Sequence, residues 1–214
     1  MLLKEILLTA FLETIYMVTL STIFAVILGF ISAVGLIITG PKGLRPNGLI
    51  YKSLNLLINI LRSFPFIILM ISVFPLTKLI AGTTIGTNAA IVPLTLGVAP
   101  FAARIIESAL LEVDCGIIEA AKSFGAKDYQ IIFKVMVKEA MPSIVLGITL
   151  TVINIIGYSA MAGAIGGGGL GDVAVKYGYY RFKTDILIYT VIILIAVVQI
   201  IQALGNILYR KMIK

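Results

Sequence analysis

Histidine is absent and cysteine occurs once, at position 115. The chain therefore lacks the usual proton shuttle, any Cys/His metal site and any possible intrachain disulfide. Gly166, Gly168 and Gly171 have the spacing of a dinucleotide fingerprint. That motif needs a strand before it and a helix start after it, whereas here an apolar run precedes it. The nearest approach to a phosphate loop is Gly35 to Gly40, and Pro41 stands where lysine is required. No nucleotide, metal or other cofactor is expected on this chain. The only carboxylate read as lying near an apolar run is Glu13, so a proton relay through the membrane has little support.

What must hold these sparse groups is apolar. Hydrophobic residues make up 60% of the 214 residues, charged residues 13%, and the mean hydropathy is +1.10, which excludes a water-soluble monomer. Uncharged runs at 14–39, 79–103 and 186–209 are each long enough for a helix to cross hydrocarbon about 30 Å thick. A fourth, 140–171, is so rich in glycine later on that only its first half is expected to be helical. A fifth, 54–76, carries Arg62 near one end, from which a long side chain can snorkel to headgroups. Continuous runs without alternation mean helices rather than a barrel.

The expected architecture is an all-α membrane protein forming one transmembrane domain over 1–214, with five spans at 14–39, 54–76, 85–103, 140–160 and 186–209. The first span lacks the shape of a signal peptide, because Lys4 is followed by Glu5 and Glu13 and no small-residue cleavage site follows the run; a retained anchor is expected. Lys42, Arg45, Lys52, Arg62, Arg104, Lys122, Lys127, Lys134, Lys138, Arg210, Lys211 and Lys214 fall on one side, against Lys4, Lys78, Lys176, Arg181 and Lys183 on the other. The positive-inside rule then puts the amino terminus outside and the carboxyl terminus inside, and Cys115 inside as a reduced thiol. A net charge of +7 split among membrane-flanking loops, with no tryptophan, gives no case for nucleic acid.

The longest hydrophilic interruption, 104–139, is oversized for a connection between adjacent spans three and four. Ile117, Ala121 and Phe124, then Ile131 and Val135, follow helical spacing, with Lys122, Lys127, Gln130 and Lys134 elsewhere around the wheel. The pattern predicts short amphipathic helices broken at Gly125, capped by Asp114 and Asp128. Small residues Ala120 and Ala121 would let another surface approach closely; periodicity alone fits a helix lying on the membrane equally well.

Glu119-Ala120-Ala121, three residues, then Gly125 resembles the EAA loop of membrane subunits of bacterial ABC importers, a coupling helix that docks on an ATPase subunit. Where that family continues Ile-x-Leu-Pro, this chain has Val135-Met136-Val137-Lys138, with Pro142 four residues on. Asn59-Ile-Leu-Arg-Ser-Phe-Pro-Phe-Ile-Ile-Leu, the stretch 86–104 containing Ala-Ala-Ile-Val-Pro-Leu-Thr, Gly157-Tyr-Ser-Ala-Met-Ala-Gly-Ala-Ile-Gly-Gly-Gly-Gly-Leu-Gly and Tyr177-Gly-Tyr-Tyr are similar to permease subunits of methionine importers. The resemblance implies a multi-pass subunit of a bacterial or archaeal-type inner or plasma membrane, acting as a homodimer with two ATP-binding subunits and an external methionine-binding lipoprotein. Catalysis, with ATP and Mg, would belong to the partner, and the permease would have no catalytic site.

On that resemblance Glu119, Ala120, Ala121 and Gly125 are expected to couple to the ATPase. A chain with no enclosed polar cavity gains a path most simply on a two-fold axis. Met161, the one large flexible side chain among Ser, Ala and Gly in 158–171, is expected to gate it, with Tyr158, Ser159 and Asn154 supplying hydrogen-bonding groups. The plainer alternative is that Met161 fills a packing gap and Asn154 bonds a neighbouring helix. Of two short outward loops, 74–84 and 171–184, the second carries Tyr177, Tyr180, Arg181 and Lys183 and is the expected dock for the binding protein. No charged side chain is expected where it could bind a substrate's α-amino and α-carboxyl groups. A permease for another amino acid or small solute, an ATP-independent carrier and a membrane scaffold are the competing readings.

Overall fold

The computed structural model describes residues 2–213, with side chains from residue 4 onward, and all its regular elements are helical. The first helix, α1 (Leu2–Thr39), starts well before the expected 14. Leu, Ile and Ala favour helix throughout 2–13, and Glu5 in the first turn complements the helix dipole. At 38 residues it is about 57 Å long. A turn follows, and Asn47 caps α2 (Gly48–Ser63), its Oδ1 accepting from the Leu49 and Ile50 N–H groups, both at 3.2 Å.

The second candidate span is not the single helix expected over 54–76. It is a pair, α2 and α3 (Phe66–Ser72), bent by 107°. Pro65 has no N–H to continue the ladder and forces Phe64 out of helical geometry, to φ −74°, ψ 128°. The short α4 (Phe74–Ala81) then closes at Gly82 in the left-handed region, φ +74°. The third span, α5 (Thr87–Leu111), runs a further two turns past 103 and so takes in Arg104 and Glu107, which the sequence reading left in a loop. Their ion pair at 2.8 Å, three residues apart, satisfies both charges within the helix.

The interruption is therefore shorter than expected and mostly helical: α6 (Cys115–Ser123), α7 (Asp128–Gln130), a π-helical turn (Ile131–Met136) and α8 (Val137–Glu139) lead directly into α9 (Met141–Ala164). After α9 come α10 (Gly169–Val173), a second π-helical turn (Ala174–Tyr179) and α11 (Thr184–Ile213). The expected outward loop 171–184 is thus largely helix. Of all these elements α1, α5, α9 and α11 are long and apolar enough to span a membrane, and the bent α2–α3 pair makes a fifth candidate.

Small residues let the long helices approach. A Cβ on Gly29 of α1 would lie 2.7 Å from that of Ala102 on α5, and one on Gly205 of α11 would collide with Thr149 of α9. At one end of the bundle Ile37, Leu110, Ile131, Ile132 and Met136 join α1, α5 and the first π-helical turn into one core cluster. At the other end α1 caps α10 across the chain. The Gly169 N–H donates to Glu13 Oε2 at 2.7 Å, and the Leu170 N–H donates to Thr14 Oγ1 at 2.9 Å. Gly169 sits at φ +77° with no room for a Cβ between Met17 and Thr14. Glu13, read as an outer-edge carboxylate, is this cap.

Thr14→Val should leave the buried Leu170 N–H without a partner, at a cost of about 1–3 kcal/mol. Its thermal unfolding midpoint in detergent should fall, and Thr14→Ser should restore it; a Val variant as stable as the parent would contradict the capping role.

Candidate functional site

Three surfaces carry the residues singled out above. The first is α6. Asp114 caps it as expected, Oδ1 accepting from the Gly116 N–H at 2.6 Å. Gly125, at φ +76°, closes it, with its N–H on the Lys122 carbonyl (2.9 Å) and the Ala126 N–H on the Ala121 carbonyl (3.1 Å). Asp128 does not cap the next helix. It lies inside α7 and pairs with Arg45 of the α1–α2 turn at 2.5 Å, while Gln130 Oε1 accepts from the Lys127 N–H at 2.9 Å.

Of the expected apolar face of α6, Ala121 packs inward and Ile117 and Phe124 do not. Ile118 and Ala121 pack on the core cluster, whereas Ile117 is 42% and Phe124 92% exposed. Both sets obey helical spacing, so periodicity could not choose between them. Outward α6 shows Glu119, Ala120, Ile117 and, at its end, Phe124. A fully exposed phenylalanine beside small residues was the overlooked feature.

Behind α6 a cavity of about 520 Å³ is lined by Tyr51, Glu107, Cys115, Ile118 and Lys122 among others. Glu107, only 7% exposed, is a carboxylate within a span that the sequence reading missed. Arg104 holds it through Nη1 and donates through Nη2 to Asn59 Oδ1 at 2.9 Å and to Asn55 Oδ1. This network fixes α2 against α5.

The second surface is a face of α9. Leu150, Gly157, Met161 and Ala164 are exposed, Met161 by 44%, and a Cβ on Gly157 would meet nothing within 4 Å. Their spacing of three, four and seven places them on one stripe, and Asn154 shares it, half-buried. Ser159 does not. It is 2% exposed on the opposite side and its hydroxyl donates to the Ile156 carbonyl at 2.8 Å. Tyr158 stacks on Phe66 of α3, with ring centroids 4.3 Å apart and planes 16° apart. Asn154 and Tyr158 line a cavity of about 260 Å³ with Arg62 at the end of α2. Arg62 thus lines the same cavity as two of the residues expected on a path.

The third surface follows α10. Tyr180, Arg181 and Lys183 are exposed. Tyr177 is not a free docking side chain, because it packs on the cluster of Leu170, Val173 and Ile186 with the Arg181 guanidinium 4.8 Å from its ring centroid. Exposed Tyr179 meets Tyr180 edge-on at 5.3 Å.

Arg104→Leu should strand the buried Glu107 carboxylate and cost about 3 kcal/mol or more, lowering the thermal midpoint. The double variant Arg104→Leu/Glu107→Leu should recover most of the loss; equal instability of both would mean the pair is not what holds α2 on α5.

Comparisons with known proteins agree with this arrangement. Residues 25–214 match the family model described as "binding-protein-dependent transport system inner membrane component". The probable D-methionine transport system permease MetI of Vibrio cholerae is 50% identical over 208 residues, covering 97% of this chain and 92% of that one. The methionine import system permease MetP of Bacillus subtilis is 45% identical over 173 residues, covering 81% and 78%. Among solved structures, an inward-facing conformation of the MetNI methionine ABC transporter superposes with a TM-score of 0.96 at 41% identity, over 98% of this chain and 97% of that one. An amino acid ABC transporter solved with histidines shares the fold, with a TM-score of 0.80 at 18% identity over 97% and 94%. With a match across most of its length and relatives this similar, the chain belongs to the family of binding-protein-dependent transport system inner membrane components.

Proposed function

We propose that this chain is the permease subunit of an ATP-driven importer of methionine, a homodimer served by two ATP-binding subunits and an external methionine-binding lipoprotein. The observation that carries the reading is the near full-length similarity, in sequence and in backbone, to permeases named for methionine transport. ATP and Mg belong to the partner. The chain forms one transmembrane domain of a bacterial inner or plasma membrane, its five spans being α1, the α2–α3 pair, α5, α9 and α11, with the amino terminus outside and the carboxyl terminus inside as the loop charges favour.

In this reading the outward side of α6, with Glu119, Ala120, Phe124 and Gly125, is the seat of the ATPase, and Ala121 backs it from the core side. Ile118 and Ala121 tie α6 to the core cluster of α1, α5 and the π-helical turn that leads into α9. A push on α6 therefore reaches α9 through packed side chains. On α9 the exposed stripe faces its copy across the two-fold axis, where the two Met161 side chains close the path with adaptable apolar contacts. Asn154 and Tyr158 line it; Ser159 only holds the helix. Tyr180, Arg181 and Lys183, with Tyr177 as their support, face the binding protein at the outer end.

In vesicles holding the assembled transporter, ATP and loaded binding protein should drive uptake of labelled methionine that other amino acids do not match. Gly125→Val strains the left-handed turn by roughly 1–2 kcal/mol, and Ala120→Trp puts bulk on the exposed side where the partner must seat. Both should insert in the membrane yet lose ATPase association and at least about tenfold in uptake, since tenfold needs only ~1.4 kcal/mol. Full uptake by both variants would end the coupling assignment.

A further inference from the structure

Where α2 ends against α3, α5 and α9, a cavity of about 260 Å³ is walled by Arg62, Phe64, Phe66, Leu69, Asn154 and Tyr158. We infer that it is a transit site for the amino-acid substrate, in which Arg62 binds the α-carboxylate; this rests on the importer reading above.

Charge comes first. Unlike Arg104 on the neighbouring α5, Arg62 has no carboxylate partner among the described residues. An unpartnered guanidinium in a membrane segment is costly unless water or a ligand meets it, and its planar fork fits a carboxylate with two parallel hydrogen bonds. The same bend supplies the opposite sign. Helix α2 stops at Ser63, and Pro65 brings no N–H. The last-turn carbonyls of α2, at the negative end of its dipole, suit an α-ammonium. Non-helical backbone at such a depth is tolerated where it lines a cavity.

Size and lining select the rest. The volume, about 260 Å³, is enough for one amino acid and below the ~300–1,000 Å³ of drug-sized sites. Phe64 and the stacked Phe66–Tyr158 pair add ring edges to a mostly polar lining, and a thioether sulfur gains an attractive contact at such edges. Asn154 completes the polar wall.

Position agrees. Asn154 precedes Met161 by seven residues, so it lies on the same stripe of α9, about 10 Å along the axis. A substrate passing the Met161 constriction from the outer end arrives at Arg62 next. The broken helix is thus explained by what it makes: a charged corner one step below the gate.

The test uses the reconstituted transporter with its binding protein, ATP and photo-methionine, the diazirine analogue that keeps both α groups. Crosslinks in the wild-type subunit should map to Phe66, Leu69 or Tyr158. Arg62→Ala should reduce both the crosslink and methionine uptake about tenfold or more, the loss of one charge-assisted pair, with assembly of the complex unchanged; Arg62→Lys should retain part of each. Crosslinks mapping elsewhere while uptake proceeds, or wild-type labelling and uptake in Arg62→Ala, would overturn the site and leave the importer standing. Absence of methionine uptake by the wild-type complex would instead remove the importer reading, and this site with it.

Discussion

A side chain in hydrocarbon must be apolar, buried in protein or wetted, and this constraint sorts the surfaces of the molecule. The exposed faces of α1 and α11 offer Ile, Leu, Val and Phe, such as Ile27, Ile31, Ile192 and Ile195, which lipid can cover at no cost. The stripe of α9 is different. Asn154 lies on it half-buried and Arg62 adjoins it across a cavity. An arginine left to lipid is costly unless its long side chain reaches headgroups or water. In the proposed assembly this stripe meets a copy of the same chain on a two-fold axis.

The ends of the bundle serve this face. At one end Glu13 and Thr14 cap α10, so the glycine turn after Ala164 is held by α1 rather than left to wander. At the other end the buried side of α6 joins the cluster that continues into α9. The four long helices approach through small residues, and α9 stays tied at both ends while its middle face remains open. In the proposed coupling this is the route from α6 to the Met161 stripe.

Much of this was legible in the sequence because apolar length is a strong signal. The four long spans, the left-handed Gly125 and the Asp114 cap followed from composition and local chemistry. What failed depended on partners distant in sequence. Arg104 and Glu107 read as loop residues because each alone is charged; paired, they extend α5. The loop 171–184 read as irregular because its helix is capped from α1, more than 150 positions away. Ile117 and Phe124 match the helical spacing of Ala121 as well as Ile118 does, and only packing set Ile118 beside Ala121 on the inner side. The Pro65 bend was readable, since proline excludes a continuous ladder, but hydropathy averaged over it. Ser159 shares a segment with Met161 yet faces away, a consequence of 3.6-residue geometry rather than of composition.

The most direct test of the account is a disulfide across the axis. Met161→Cys, beside the native Cys115 replaced by Ser, should give a symmetric crosslink between two permease copies, because the bond requires Cα atoms within about 7 Å. Its yield should change with nucleotide as the path opens and closes. A variant that inserts and assembles but never crosslinks, with or without ATP, would contradict a gate on the axis and return Met161 to the role of packing residue.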